Sequence, residues 1–332
     1  MNNQGKKYSR KEFITFLGNV TLGASIIPPF LMSCGNTSMP IKTGDLSNEK
    51  LERLKKLYLQ ELTPTDKDDL LLTKGLDYHT IIKWNDKISN EDTFGFNCDF
   101  TCFIPLDPKN PNDGLLWVNH EYVNPLFVSG YNYRNTDKSK TKKQVDREMY
   151  NVGGSIIRIR KNNEKWEIVH NDPYNRRITA KTPIRLNWDK PIRGKTTAIG
   201  TLANCSGGIT PWNTFLTCEE NYDSFYGETE YDENNNSTKI QSYGYGWDKF
   251  YDYPPEHYGW VVEIDPKGGI AKKHIALGRF AHECCTLFQL EDNRIVAYTG
   301  DDKSDEHLYK FVSSKPNSLK EGTLYVADTE NG

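Results

Sequence analysis

Seven short polar clusters gather the side chains of this sequence that could do chemistry. They are Gly95–Asp99 (GFNCD), Trp117–Tyr122 (WVNHEY), Asn204–Trp212 (NCSGGITPW), Thr217–Asn221 (TCEEN), Gly259–Pro266 (GWVVEIDP), Gly278–Glu283 (GRFAHE) and Gly300–Asp302 (GDD). Each sits at the end of an apolar run, where a strand would stop. Carboxylates converging from several strands repel one another and are driven toward protonation unless cations lie between them. Hard metal ions are the natural counter-charge. A thiolate such as Cys205 added to that oxygen set suits a transition metal such as iron beside calcium. Taken singly, each residue also has a plainer reading. Cys205 alone is a core thiol, Asp301 and Asp302 fit a turn, and His120 and His282 suit structural bonding because a hard metal prefers oxygen. Glu263, preceded by Trp-Val-Val, is an acid in an apolar strand and needs a partner.

The ordered set resembles one family. NCSGGITPW, TCEEN, GWVVEIDP, RFAHE and YTGDD, with Tyr174–Ile178 (YNRRI), are together similar to the PhoX-type alkaline phosphatases from about Leu70 to the C-terminus. That resemblance implies a β-propeller, Fe(III) and Ca(II) bridged by carboxylates and a Cys, and export by the twin-arginine route. Carried over by motif, Cys205, Glu220, Glu263 and Glu283 are the expected metal ligands, and Asp301, Asp302, Glu219, Glu121 and Asn119 are expected to ligate or support them. A phosphomonoester repels nucleophiles with its own charge, so such a site must neutralise the phosphoryl oxygens and hold the attacking group in line. By residue type, Arg279 and His282 are the candidates for holding the non-bridging oxygens. Arg176 and Arg177 either bind phosphate or pin a loop.

These residues need strand ends to carry them. From Leu70 onward, short apolar runs alternate with Gly, Pro, Asn and Asp, which gives twelve candidate strands: 80–84, 100–104, 115–119, 154–160, 166–170, 215–218, 260–264, 270–276, 285–290, 295–299, 307–312 and 323–327. The expected fold is all-β. A β-propeller with a short N-terminal helix is favoured, because each inner strand of a propeller delivers side chains to a central channel. No exact repeat is visible. Residues 131–147 and 232–238 read as solvated loops, and 48–62 as an amphipathic helix. The final strand runs into an Asn-Gly turn with no return strand, so the propeller is expected to be C-terminally truncated.

Composition agrees. The 332 residues include 14 Phe, 7 Trp and 19 Tyr with only 4 Met, a ring-rich core that favours strands over long helices. The formal charge of -3 becomes -6 beyond residue 33, because Lys6, Lys7, Arg10 and Lys11 face only Glu12 in the leader. The negative charge disfavours nucleic acid, and no nucleic-acid partner is expected. Residues 1–34 read as a signal peptide with twin-arginine character (Ser9–Ile14, SRKEFI) and a lipobox ending at Cys34. Residues 35–69 form a linker and helix, and 70–332 the phosphatase domain. The expectation is a monomeric metal-dependent phosphomonoesterase in the periplasm or on the cell surface, meeting the membrane only through a lipid on Cys34. The alternatives are a non-catalytic propeller lipoprotein, or a phosphodiesterase or phytase on the same scaffold. Of the other six cysteines, most are expected to be core or ligand thiols rather than disulfides.

Overall fold

The computed structural model describes residues 62–73, 76–134, 139–269 and 271–328. The signal, the lipobox, the helix expected up to Leu62 and the Asn-Gly turn lie outside the described residues, apart from Leu62 itself. Residues 62–73 and 76–80 contain neither helix nor strand. The compact unit that begins at Ile81 is built mainly of β-sheet.

Its first sheet is ordered β1 (Cys98–Asp107), β2 (Asn110–His120), β3 (Gly153–Asn162) and β4 (Lys165–Ile168), with β5 (Arg176–Ile178) also antiparallel to β3. Helices α1 (Pro125–Val128) and α2 (Lys142–Asn151) lie between β2 and β3. The second sheet uses β6 (Pro183–Leu186), β7 (Thr197–Ile199), β8 (Asn204–Ile209), β9 (Phe215–Glu219), β12 (Val261–Ile264) and β13 (Lys272–His274), in the order β7-β6-β13-β12-β9-β8. Between β9 and β12 come helix α3 (Asp223–Tyr226) and a separate hairpin, β10 (Glu228–Tyr231) and β11 (Ser237–Ile240). The third sheet is a meander of β14 (Thr286–Gln289), β15 (Ile295–Gly300), β16 (Leu308–Ser313) and β17 (Gly322–Val326).

Apolar cores join the sheets in succession. Ile104, Leu115, Trp117 and Ile156 of the first sheet pack with Ile184, Phe215, Val262 and Ile264 of the second. On its other face the second sheet sets Leu216, Cys218 and Val261 against Ile295, Ala297 and Phe311 of the third. The alternation of β9, whose residues point to opposite faces in turn, is what lets one strand serve both cores. A third cluster, rich in rings, surrounds Phe225, Tyr226, Trp247 and Tyr258.

The all-β expectation agrees with this architecture, and eleven of the twelve expected strands overlap observed ones. Residues 80–84 are irregular instead, held by backbone bonds between Asn85, Asp86 and Phe94. The solvated loop expected over 131–147 is corrected in its second half by α2. A capping box between Thr141 and Gln144 starts that helix, and Val145, Glu148 and Met149 bury its inner face. Residues 232–238 are the exposed turn and edge of the β10–β11 hairpin, as expected. The six cysteines in the described region are free thiols.

Candidate metal centre

The same local device occurs three times, once on each sheet. The chain enters a sheet through a residue whose carbonyl accepts the backbone N–H of an acid just past the end of the neighbouring strand. Asn97 accepts from Glu121 at 3.3 Å, Ala203 from Glu220 at 3.0 Å, and Ala281 from Asp302 at 3.0 Å. The residue after each acceptor pairs with the residue before each acid: Cys98 with His120, Asn204 with Glu219, and His282 with Asp301. The next residues along the entering chain are Asp99, Cys205 and Glu283. In the first two units the ladder breaks just there, between Cys98 and Thr101 and between Asn204 and Gly207. Such a break re-aims a side chain that regular pleating would bury or turn away. Asn97 and Ala203 both have positive φ, 54° and 51°, which bends the chain into the break.

These units place Asp99, Glu121 and Cys205 so that one donor atom from each lies within 4.8 Å of the others. Glu220 stands beside both Cys205 and Asp302, and Asp99 beside Glu121. Burial, first of all, pushes the Glu121 carboxyl well above the ordinary carboxylate range; Tyr122 bonds it and pulls down, while Asp99 and Glu220 push further up. Glu220 is raised by burial and by Asp302, against a lowering bond from Asn221. Burial and the charges of Glu220, Glu121 and Asp99 raise the Cys205 thiol. The arrangement is a set of acidic groups pressed together by the fold.

Asn119 supports the set from behind. Its side-chain amide donates to the carbonyls of Cys205 and Ser206 at 2.5 and 3.1 Å, and its oxygen accepts from Trp117 and Thr217. Gly207 and Gly208 permit the close approach of β8 to its neighbours. A Cβ at Gly207 would stand 2.0 Å from the Leu216 carbonyl oxygen, and one at Gly208 2.5 Å from that of Cys285. Glu283 is exposed, and its carbonyl accepts from the backbone of Ser206, next to Cys205.

Other expected residues are engaged elsewhere. Glu219 points to the opposite face from Glu220 and meets Lys273 at 2.6 Å and the backbone N–H groups of Gly259 and Trp260. Glu263 accepts from Trp212, Thr214 and His274 in a separate pocket. The Arg279 guanidinium donates to Glu228 and to the carbonyls of Tyr258 and Pro255. His282 is buried between Thr299 and the Gly278 carbonyl, and burial pushes its imidazole down to about 4. Asp301 accepts from the backbone of Ala281. His120 bonds Ser155 and the Phe96 carbonyl. Arg177 pins loops, through carbonyls rather than carboxylates: those of Thr93, Tyr150, Val152 and Gly154. Arg176 does the same with Tyr174, Asp265 and Pro266. Sequence reasoning left out Asp99, Tyr122 and Asn221. Asp99 closes the first polar cluster, but only the break in the β1 ladder shows where it points.

The alkaline phosphatase PhoX family model matches residues 57–332. The chain belongs to that family. A solved structure of Pseudomonas fluorescens PhoX in complex with vanadate, a transition state analogue, is similar to it, with 29% sequence identity and a TM-score of 0.66. The match covers 77% of this chain and 52% of that one, so the chain matches about half the length of the solved PhoX chain. No curated protein matches. The PhoX family match contains all three repeated units, from Asn97 to Asp302.

Proposed function

We propose that the protein is a metal-dependent phosphomonoesterase that releases inorganic phosphate from phosphate esters outside the cytoplasm. The observation that carries this reading is the convergence of Asp99, Glu121 and Cys205 within 4.8 Å, joined by Glu220 and Asp302. Acids crowded together in this way, in a family of phosphatases, suit a cation site, because a bound cation holds such groups ionised. A thiol among carboxylates fits Fe(III) beside Ca(II). Asp99, Glu121, Cys205, Glu220 and Asp302 would hold the ions, with Glu283 joining as the third counterpart of Asp99 and Cys205. Bound there, the metals would supply the positive charge that offsets the phosphoryl oxygens.

The chain's own residues have distinct tasks in this reading. Tyr122 and Asn221 orient Glu121 and Glu220, and Asn119 fixes the backbone that carries Cys205. Arg279 and His282 brace the segment that leads to Glu283 rather than gripping phosphate. Three sheets in succession, each presenting one unit to a shared centre, support a β-propeller. Residues 1–34 would direct export, with Cys34 as a lipid anchor, 35–69 would form a tether and helix, and the catalytic domain would act as a monomer.

The test is p-nitrophenyl phosphate hydrolysis by the full chain at alkaline pH, before and after EDTA, with calcium and iron then restored. Activity lost on chelation and regained with metal is the expected result. A folded, metal-loaded protein that leaves the ester intact would remove the reading.

A further inference from the structure

Beside the acidic centre lies a cleft of about 720 Å³ lined by five tyrosines together with Lys140 and Lys249. Tyr122 and Asn221, the residues directly after Glu121 and Glu220, form its inner edge; Tyr131, Tyr245 and Ser224 continue it, and Tyr243 stands at the mouth. The volume is that of a small-molecule site. Tyr243 is 74% exposed. Its presentation is fixed by its neighbours: the Ser242 hydroxyl donates to the Ser224 carbonyl at 2.5 Å, the Tyr245 N–H donates to the same carbonyl at 2.8 Å, and Gly246 donates to the Ser242 hydroxyl at 3.1 Å. Gly244 has no room for a side chain, since a Cβ there would meet the Ser224 carbonyl oxygen at 2.8 Å. Tyr245 itself stacks on Phe225 with ring centroids 4.3 Å apart. The fold therefore holds the residues around Tyr243, whose hydroxyl donates to Asp223 at 3.3 Å, and leaves most of its ring exposed in the cleft. A ring offered in this way suits stacking against another planar π system, to which an alkyl group has no face to offer.

We infer that this cleft is the leaving-group subsite, and that it selects phosphate esters whose organic part is a planar ring, with Tyr243 as the stacking platform. The inference rests on the phosphomonoesterase reading of the adjoining centre. If ions held by Glu121 and Glu220 draw a phosphate to the centre, the residues next to those two ligands, Tyr122 and Asn221, already line the cleft, which is therefore the nearest concavity for the ester's organic part. Ring esters come from two sources, nucleosides and simple aryl groups, and the experiment separates them.

Turnover of adenosine 5′-monophosphate, p-nitrophenyl phosphate and glycerol 3-phosphate is measured for the full metal-loaded chain and for Tyr243→Ala and Tyr243→Phe. The expected result is a ring-over-glycerol preference in kcat/KM that shrinks about tenfold in Tyr243→Ala, chiefly through KM, and persists in Tyr243→Phe. A preference confined to the adenosine ester points to nucleosides; one shared with p-nitrophenyl phosphate points to any planar ring. No preference in the unaltered chain, or the same preference in Tyr243→Ala, overturns the inference. Ligand-observed NMR with adenosine, which carries no phosphate, reads the subsite independently of turnover. Saturation transfer seen with the unaltered chain and lost in Tyr243→Ala upholds the subsite even if no ester is hydrolysed, and its absence from the unaltered chain overturns it.

Discussion

Glu219 and Glu220 are neighbours in sequence, yet they belong to opposite kinds of environment. Glu219 faces the interior, where Lys273 and two backbone N–H groups satisfy it completely, and the Lys273 ammonium also lies 4.5 Å from the centre of the Tyr258 ring. Glu220 faces Cys205 and Asp302, and its surroundings raise it. Glu263 resembles Glu219: it is buried but supplied with three donors. A buried carboxylate that the protein itself satisfies is a structural part, whereas a carboxyl group crowded by other acids favours positive charge from outside. Residue type alone does not separate the two; the parity of a single strand does.

The sharpest way to break this comparison is to remove the partner of the satisfied acid. Lys273→Met leaves the Glu219 charge buried against neutral groups, and should cost about 3–5 kcal/mol of stability, read as a thermal midpoint lower by about 10 °C. A change within 1 °C would show that Glu219 does not depend on Lys273. The counterpart is Glu220→Gln. Phosphatase turnover should fall by at least about a hundredfold, as expected when a metal ligand is lost. In EDTA, however, the variant should be as stable as the unaltered chain or slightly more so, because one member of a repelling set is gone. Destabilisation there to the degree of Lys273→Met would make Glu220 a structural acid like its neighbour.

A smaller effect is expected at Glu263. Burial pushes its carboxyl up, but the bond and charge of His274, with Trp212 and Lys272, prevail and hold it down at about 2. The folded state thus favours the ionised form, and the stability this brings is present above the ordinary pKa of about 4.5. It is lost as pH falls toward about 2. Glu263→Gln should cost about 1–3 kcal/mol at pH 7, with the difference from the unaltered chain shrinking in urea titrations run at lower pH. An undiminished difference at pH 3 would contradict that account.

The strands whose side chains alternate or run apolar were legible in the sequence. Leu115–Asn119 and Val261–Ile264 are examples, because burial there follows directly from composition. Strand β8 was not, since Asn-Cys-Ser-Gly-Gly carries no hydrophobic signal and is recognisable only by its motif. Strands β5 to β7 are three or four residues long, too short to show a period. Helix α2 was obscured by its lysines, although its capping pair, Thr141 and Gln144, stands in the sequence at the right spacing. For the site, the sequence pointed to Cys205, Glu220, Glu121 and Asp302, which the structure gathers. It also pointed to Glu219, Glu263 and Arg279, whose side chains lead elsewhere. The repeated unit left no trace because its positions are filled by different residues, Asp, Cys and Glu in one place and Glu, Glu and Asp in the other. What repeats is backbone geometry, and a carbonyl acceptor has no letter in the sequence.

Arg177 has a consequence for how the molecule opens. One guanidinium joins the carbonyls of Thr93, Tyr150, Val152 and Gly154. The loop that leads to Asp99, the end of α2 and the start of β3 are therefore fastened to one rivet. Amide hydrogens in these segments should exchange with solvent as one cooperative group rather than as three. The approach to the acidic centre would then loosen only when the helix end and the strand beside it loosen as well.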